Sequence, residues 1–168
     1  GYSLPVRDAL AKAAIAKGFS EEMLEKTGLC YRTDEGRLLD RYHARVIFPV
    51  QTVSGMTVAF GGRTLSADKK VAKYVNSPES EIYSKSHELY GLYLAKHAIV
   101  KQNRCYLVEG YMDVIAMHQS GIENVVASSG TSLTEGQIRL IHRFTDNITV
   151  LYDGDSAGIH ASLRGIDM

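Results

Sequence analysis

Four carboxylates stand where they could handle phosphate. Glu109 and Asp113 follow the apolar run Cys105–Val108 in the order Glu109-Gly110-Tyr111-Met112-Asp113. Asp153 and Asp155 follow a second apolar run, residues 148–152, in Asp153-Gly154-Asp155-Ser156-Ala157-Gly158. A third run, residues 124–127, lies between them and ends in Ser128-Ser129-Gly130-Thr131. Short β-branched runs separated by helix-length segments predict parallel strands with crossover helices. Ligands of such sheets bind outside the carboxyl ends of the strands. The four carboxylates are therefore expected on one edge, where their like charges require a cation. Hard oxygen ligands suit Mg²⁺, which keeps several waters and also takes phosphate oxygens. Asp153 and Asp155 flank Gly154, and alternate residues of an extended chain face the same way, so both can point at one metal. Asp113 falls in the first turn of a predicted helix, where a carboxylate also answers the helix dipole, and ranks as a secondary ligand.

The elements that must position this edge can be read along the chain. Residues 4–17 place Leu4, Ala9, Leu10, Ala13, Ala14 and Ile15 on one side of a helix ending at Gly18. Ser20 caps a short second helix, which ends at Gly28. Residues 29–32, 45–50 and 58–63 read as strands, with a hairpin turn at Ser54-Gly55. Gly61-Gly62 allow a close backbone approach or positive φ, and Arg63 beside them can offer a guanidinium to phosphate. Residues 73–80 form a polar loop with base-stacking and phosphate-binding side chains, among them Lys73, Tyr74 and Asn76, and Tyr83 and Lys85 follow. An apolar helix begins at Leu89, capped by Ser84 or Ser86, and runs to about Val100. Further helices are expected at residues 111–120, after the overlapping boxes Ser132-x-x-Glu135 and Thr134-x-x-Gln137, and at 157–166. Ser128, Ser129 and Thr131 stand where they could donate to phosphate, although loop capping is the simpler explanation of them.

Composition narrows the class. With 168 residues, 45% apolar and 23% charged, the chain has core enough for one ordinary domain or two small ones. No stretch reaches membrane-spanning length and no secretory leader opens the chain, so a cytoplasmic protein is expected. Cys30 and Cys105 match no zinc spacing and read as inert thiols; the six histidines show no paired ligand spacing. The net charge is zero, but residues 31–104 carry 12 Lys and Arg against 7 acids, and residues 105–168 carry 3 against 8. A basic part followed by an acidic one suits a protein that holds a polyanion beside a metal site.

VEGYMDV (108–114) followed by LYDGDSAG (151–158) resembles the Toprim motif pair. RVIFPV, AFGGR, KYVNSPES and YSKSHELYGL, in that order upstream, resemble the signatures of the polymerase core of bacterial DNA primases. The resemblance covers most of the chain, and the ordered set is far more specific than any one motif. It implies an α/β protein: an N-terminal α+β subdomain (1–103, the basic template and nucleotide side), then a Rossmann-like Toprim subdomain with a parallel sheet (104–168), incomplete at its C-terminal end. It implies an enzyme that makes short RNA primers on single-stranded DNA by two-metal nucleotidyl transfer. Glu109, Asp153 and Asp155 would be catalytic, and with Asp113 would hold Mg²⁺ or Mn²⁺. Arg45, Arg63, Lys73, Asn76 and Lys85 would hold the triphosphate and the template.

The implied partners are single-stranded DNA, ribonucleoside triphosphates and a replicative helicase, the last through a C-terminal region beyond Met168. The implied state is a monomer with no membrane contact, and zinc belongs to a domain preceding Gly1. The chain thus reads as a fragment with little or no synthesis of its own. Toprim nucleases, topoisomerases and recombination proteins use similar carboxylates but lack the upstream segments. A non-catalytic nucleic-acid or nucleotide-binding module, and a Mg²⁺ phosphohydrolase with an aspartyl nucleophile, are the alternatives of other classes.

Overall fold

The computed structural model describes residues 1–130 and 133–153. The chain forms two compact units, one of Gly1–Pro49 and Val58–Tyr83, the other of Val50–Thr57 and Ser84–Met168.

The first unit opens with α1 (Ala9–Ala16) and α2 (Glu21–Lys26). α1 starts later than its apolar spacing suggests, because the residues before it pair with a strand: Ser3 N–H donates to Arg45 O at 2.8 Å, and Ala44 N–H to Leu4 O at 3.1 Å. Its first turn is capped from a distance. The Asp40 carboxylate, 2% exposed, accepts the Leu10 and Ala11 N–H groups at 2.7 and 2.9 Å. α2 is capped locally, as expected, with Ser20 Oγ accepting from Met23 N–H. Two short antiparallel strands follow, β1 (Cys30–Arg32) and β2 (Leu38–Asp40), and Ala11, Ala14, Leu24 and Cys30 form the small core between helices and strands.

The larger sheet of three strands runs β3 (Arg45–Gln51), β4 (Thr57–Thr64) and β5 (Tyr74–Asn76), in the order β3-β4-β5. β5 is a strand where the sequence predicted a polar loop: Gly61 pairs with Asn76, Gly62 with Val75 and Arg63 with Tyr74. Polarity misleads here because an edge strand exposes one side of its backbone to water. Beyond the strand, Ser77 Oγ accepts from Phe60 N–H at 3.0 Å and lies 2.9 Å from the Tyr42 hydroxyl.

The second unit is a parallel α/β layer. β6 (Cys105–Val108) lies between β7 (Val125–Ala127) and β8 (Ile148–Val150), both parallel to it. Among the described strands, β7, which lies between the other two in sequence, thus stands to one side of the layer, and the strand that leads into Glu109 is central. α3 (Leu92–Gln102), α4 (Tyr111–Gln119) and α5 (Glu135–His142) complete the unit. Leu89, Leu92, Ala95, Ile99, Cys105, Leu107, Val126 and Ile141 form its core. α3 therefore packs with the parallel strands and belongs to their unit, although it precedes the 103/104 boundary that the resemblance implies. The apolar stripe Leu92, Ala95, Ile99 must be buried against something, and β6 and β7 supply that surface.

α3 also begins later than expected. Gly91 holds φ +86, a left-handed position that interrupts the helical run, and Tyr90 pairs its backbone with Ala127. Neither Ser84 nor Ser86 caps α3; their hydroxyls are 3.0 Å apart and approach His87 instead. The turn between β3 and β4 forms at Ser54-Gly55 as expected. Its tip belongs to the second unit, where Lys96 Nζ donates to Val53 O at 2.9 Å.

Candidate active site

Glu109 is the residue immediately after the central strand β6, and Asp153 lies three residues after β8. The parallel pairing of these strands brings their carboxyl ends side by side, and Leu151 N–H donates to Leu107 O at 2.8 Å, extending the ladder toward the acids. The Asp153 N–H donates to Glu109 Oε1 at 3.0 Å. Ser129, next to the end of β7 and at φ +56, donates its N–H to Glu109 O at 3.1 Å. Three strand ends thus meet on Glu109. The neighbouring Tyr152 hydroxyl has its pKa raised, first by burial and also by the Glu109 charge, with Ser128 acting the other way.

Asp113 is placed differently. Its Oδ2 accepts the Gly110 N–H at 2.9 Å, so it caps the α4 N-terminus, the dipole role allowed for it from sequence. Asp155 and Thr131 lie outside the described residues. Among the described residues no cluster of three or more potential metal ligands forms. The Glu109–Asp153 pair does fit a divalent cation in donor chemistry: hard carboxylate oxygens on adjoining strand tips, a set that Mg²⁺ accepts when water and phosphate complete its shell.

The basic residues divide between the two units. In the first, Arg63 pairs across the sheet with Tyr74, its guanidinium carbon 5.9 Å from the ring centroid. Directly opposed residues and alternate residues share a face, so Arg63, Tyr74 and Asn76 line one side of the β4–β5 ribbon. The other side carries Gly62. A Cβ there would fall 2.7 Å from the Tyr42 ring and 3.0 Å from Arg45 Cδ, which is why a glycine is needed. Gly62 thus serves close approach, not positive φ.

Arg45 covers that side and is only 5% exposed. Its Nη1 donates to Ala72 O at 2.9 Å and Gly62 O at 3.2 Å, and burial lowers the guanidinium pKa. Lys73 is exposed, at the mouth of a cleft of about 490 Å³ lined also by Arg63, Lys69 and Asp68. In the second unit, Lys85 is half-buried on the turn before α3.

Sequence reasoning did not anticipate Gln137 as more than a cap. It is fully buried, and its Nε2 donates to Lys85 O and Glu88 O, both at 3.0 Å. The available signal was its spacing, since Gln137 and Ile141 are four apart and so share the buried face of α5.

Comparison with known proteins agrees with this geometry. Residues 1–96 match the family described as "DNA primase catalytic core, N-terminal domain", and residues 106–168 match "Toprim-like". The DNA primase of Halalkalibacterium halodurans is 44% identical over 100% of this chain and 28% of its own length. That of Escherichia coli K12 is 41% identical over 99% of this chain and 28% of its own length. The chain therefore spans a little over a quarter of these relatives. The RNA polymerase domain of Mycobacterium tuberculosis primase DnaG superposes with TM-score 0.90 at 38% identity, over 100% of this chain and 57% of that one. A DnaG primase catalytic domain bound to ssDNA does so with TM-score 0.90 at 41% identity, over 99% of this chain and 53% of that one. With all four of its polymerase-core motifs on one matched domain and its acidic strand ends on the other, the chain belongs to the DNA primase catalytic-core family.

Proposed function

We propose that this chain forms part of a DNA primase, a nucleotidyltransferase that builds short RNA primers on single-stranded DNA from ribonucleoside triphosphates in the cytoplasm. The observation that carries the reading is the meeting of Glu109 and Asp153 at adjacent parallel strand ends, joined by the 3.0 Å hydrogen bond. Glu109, Asp153 and Asp155 are assigned the catalytic role, with Asp113 as a further metal ligand. A bound Mg²⁺ or Mn²⁺ would supply charge neutralisation at the reacting phosphates and activation of the attacking hydroxyl.

The chain's own contribution is placement. The Asp153 N–H orients the Glu109 carboxylate, and the Ser129 N–H fixes the Glu109 main chain, so the acid stands at the strand end where a phosphate can approach. Arg63 and Asn76, on the Tyr74 face, and the exposed Lys73 are assigned to the template strand or triphosphate, as is Lys85 in the second unit. Arg45 serves the same surface indirectly, holding the Ala72 backbone beside Lys73. The functional division follows the sequence one: residues 1–103 carry the polyanion side, residues 104–168 the metal-binding side. The reading includes a monomeric state and a replicative helicase as the partner of the whole protein.

The test is Mg²⁺-dependent primer synthesis on single-stranded DNA by the full-length protein that contains this segment, compared with Glu109→Gln and Asp153→Asn. Synthesis lost in both, with single-stranded DNA binding retained, supports the reading. Wild-type nicking of DNA without synthesis would replace it with a Toprim nuclease.

A further inference from the structure

A glutamine fully removed from water at the start of a surface helix calls for a reason, because a buried amide is costly unless every polar atom is bonded. Gln137 meets that condition. Its Nε2 donates to the carbonyls of Lys85 and Glu88, and its Oε1 accepts the Thr134 N–H at 3.3 Å. Thr134 Oγ1 accepts the Gln137 N–H at 3.2 Å and donates to Ser86 O at 2.6 Å. Three of four consecutive carbonyls, those of residues 85, 86 and 88, are therefore held by the first turn of α5. Gly136 makes the approach possible: a Cβ there would lie 2.6 Å from Ser86 O and 2.9 Å from His87 Cδ2.

An apolar residue would fill this part of the core equally well, as Ile141 does one turn later. What the amide and the hydroxyl add is direction, since they determine the orientation of each peptide plane in the turn that carries Lys85. We propose that Thr134, Gly136 and Gln137 are positioning residues that aim the Lys85 ammonium at a phosphate of the bound triphosphate or of the nucleic-acid strand. This rests on the assignment of Lys85 made above. A flexible lysine tethered to a loose turn loses conformational entropy on each binding event; holding its main chain in advance reduces that cost. The device uses no charge of its own, which keeps it invisible to any search for basic residues.

The experiment is a coupling cycle in the full-length protein, combining Gln137→Met with Lys85→Ala. Gly136→Ala is a second variant that leaves the amide intact and moves the turn. Readouts are KM and kcat for the ribonucleoside triphosphate, affinity for single-stranded DNA, triphosphate affinity without catalysis, and Tm. Lys85→Ala should weaken one of the phosphate ligands about tenfold. Gln137→Met and Gly136→Ala should weaken the same ligand, with kcat changed by less than about twofold, and add less than about twofold on the Lys85→Ala background. Which ligand responds identifies triphosphate or strand as the source of the phosphate. Losses that multiply with that of Lys85→Ala, or a lower kcat and Tm with both affinities unchanged, would overturn the proposal. So would Lys85→Ala leaving both affinities unaltered. A wild-type protein that binds these ligands but makes no primer would overturn the primase reading alone, because the cycle can still be closed on affinity.

Discussion

Arg45 separates two roles that an arginine can play beside a polyanion, and replacing it with methionine tells them apart. The side chain is 5% exposed, and its Nη1 engages Ala72 O at 2.9 Å and Gly62 O at 3.2 Å. Met retains most of the packing and removes the donors. Each hydrogen bond from a charged donor is worth about 1.5–3 kcal/mol, and removal leaves two carbonyls without this partner. Relief of the buried cation's desolvation offsets part of the loss, so a net destabilisation of about 3 kcal/mol is expected. For a chain of this length that corresponds to a fall in Tm of roughly 6–12 °C.

The decisive assay is the salt dependence of single-stranded DNA binding, run below the lowered Tm. Each phosphate contact contributes a slope of about 0.7 in log K against log salt. Arg45→Met should leave that slope unchanged. Lys73→Met, at an exposed position, should reduce it by about 0.7 while changing stability by less than about 0.5 kcal/mol. A reduced slope with unaltered Tm in Arg45→Met would refute the structural role and restore the direct contact expected from sequence.

Two further outcomes follow from burial. The Cys105 thiol is pushed up to about 12 by burial, and that of Cys30 to about 11 by burial and by the Asp40 charge, so neither should react with iodoacetamide at about pH 8 until the protein is unfolded; labelling of the native protein at the rate of a free thiol would contradict the packing. Glu88 has its carboxyl pKa raised above 4.5 by burial, partly opposed by His87, so its folded form favours the proton. Its favourable contribution is therefore full below that value and lost as pH rises through the folded pKa. Glu88→Gln should raise Tm at about pH 7 and lose that advantage as the pH is lowered toward 4.5; a constant difference across the range would show that the charge is not the cause.

The sequence alone determined the parallel layer and its acidic edge. Apolar runs of four or five residues bounded by Gly, Asp and Ser have few alternatives to buried parallel strands, and the residue after such a strand lies at the ligand-binding end. Glu109 and Asp153 were legible for that reason, and so were the caps at Ser20 and Thr134, whose hydrogen bonds span three residues. Contacts between residues far apart in the chain were decided only in three dimensions. Asp40 caps α1 across about thirty residues of chain. The family resemblance implies a phosphate ligand at Arg45, yet the sheet encloses its guanidinium against Gly62 and Ala72. The segment around Tyr74 reads as a loop because its polarity conceals an edge strand, and Gln137 reads as a cap because nothing local shows the carbonyls it will meet. Charge and periodicity are properties of the chain; which backbone groups need a partner, and which side chains are near enough to serve, is settled by packing.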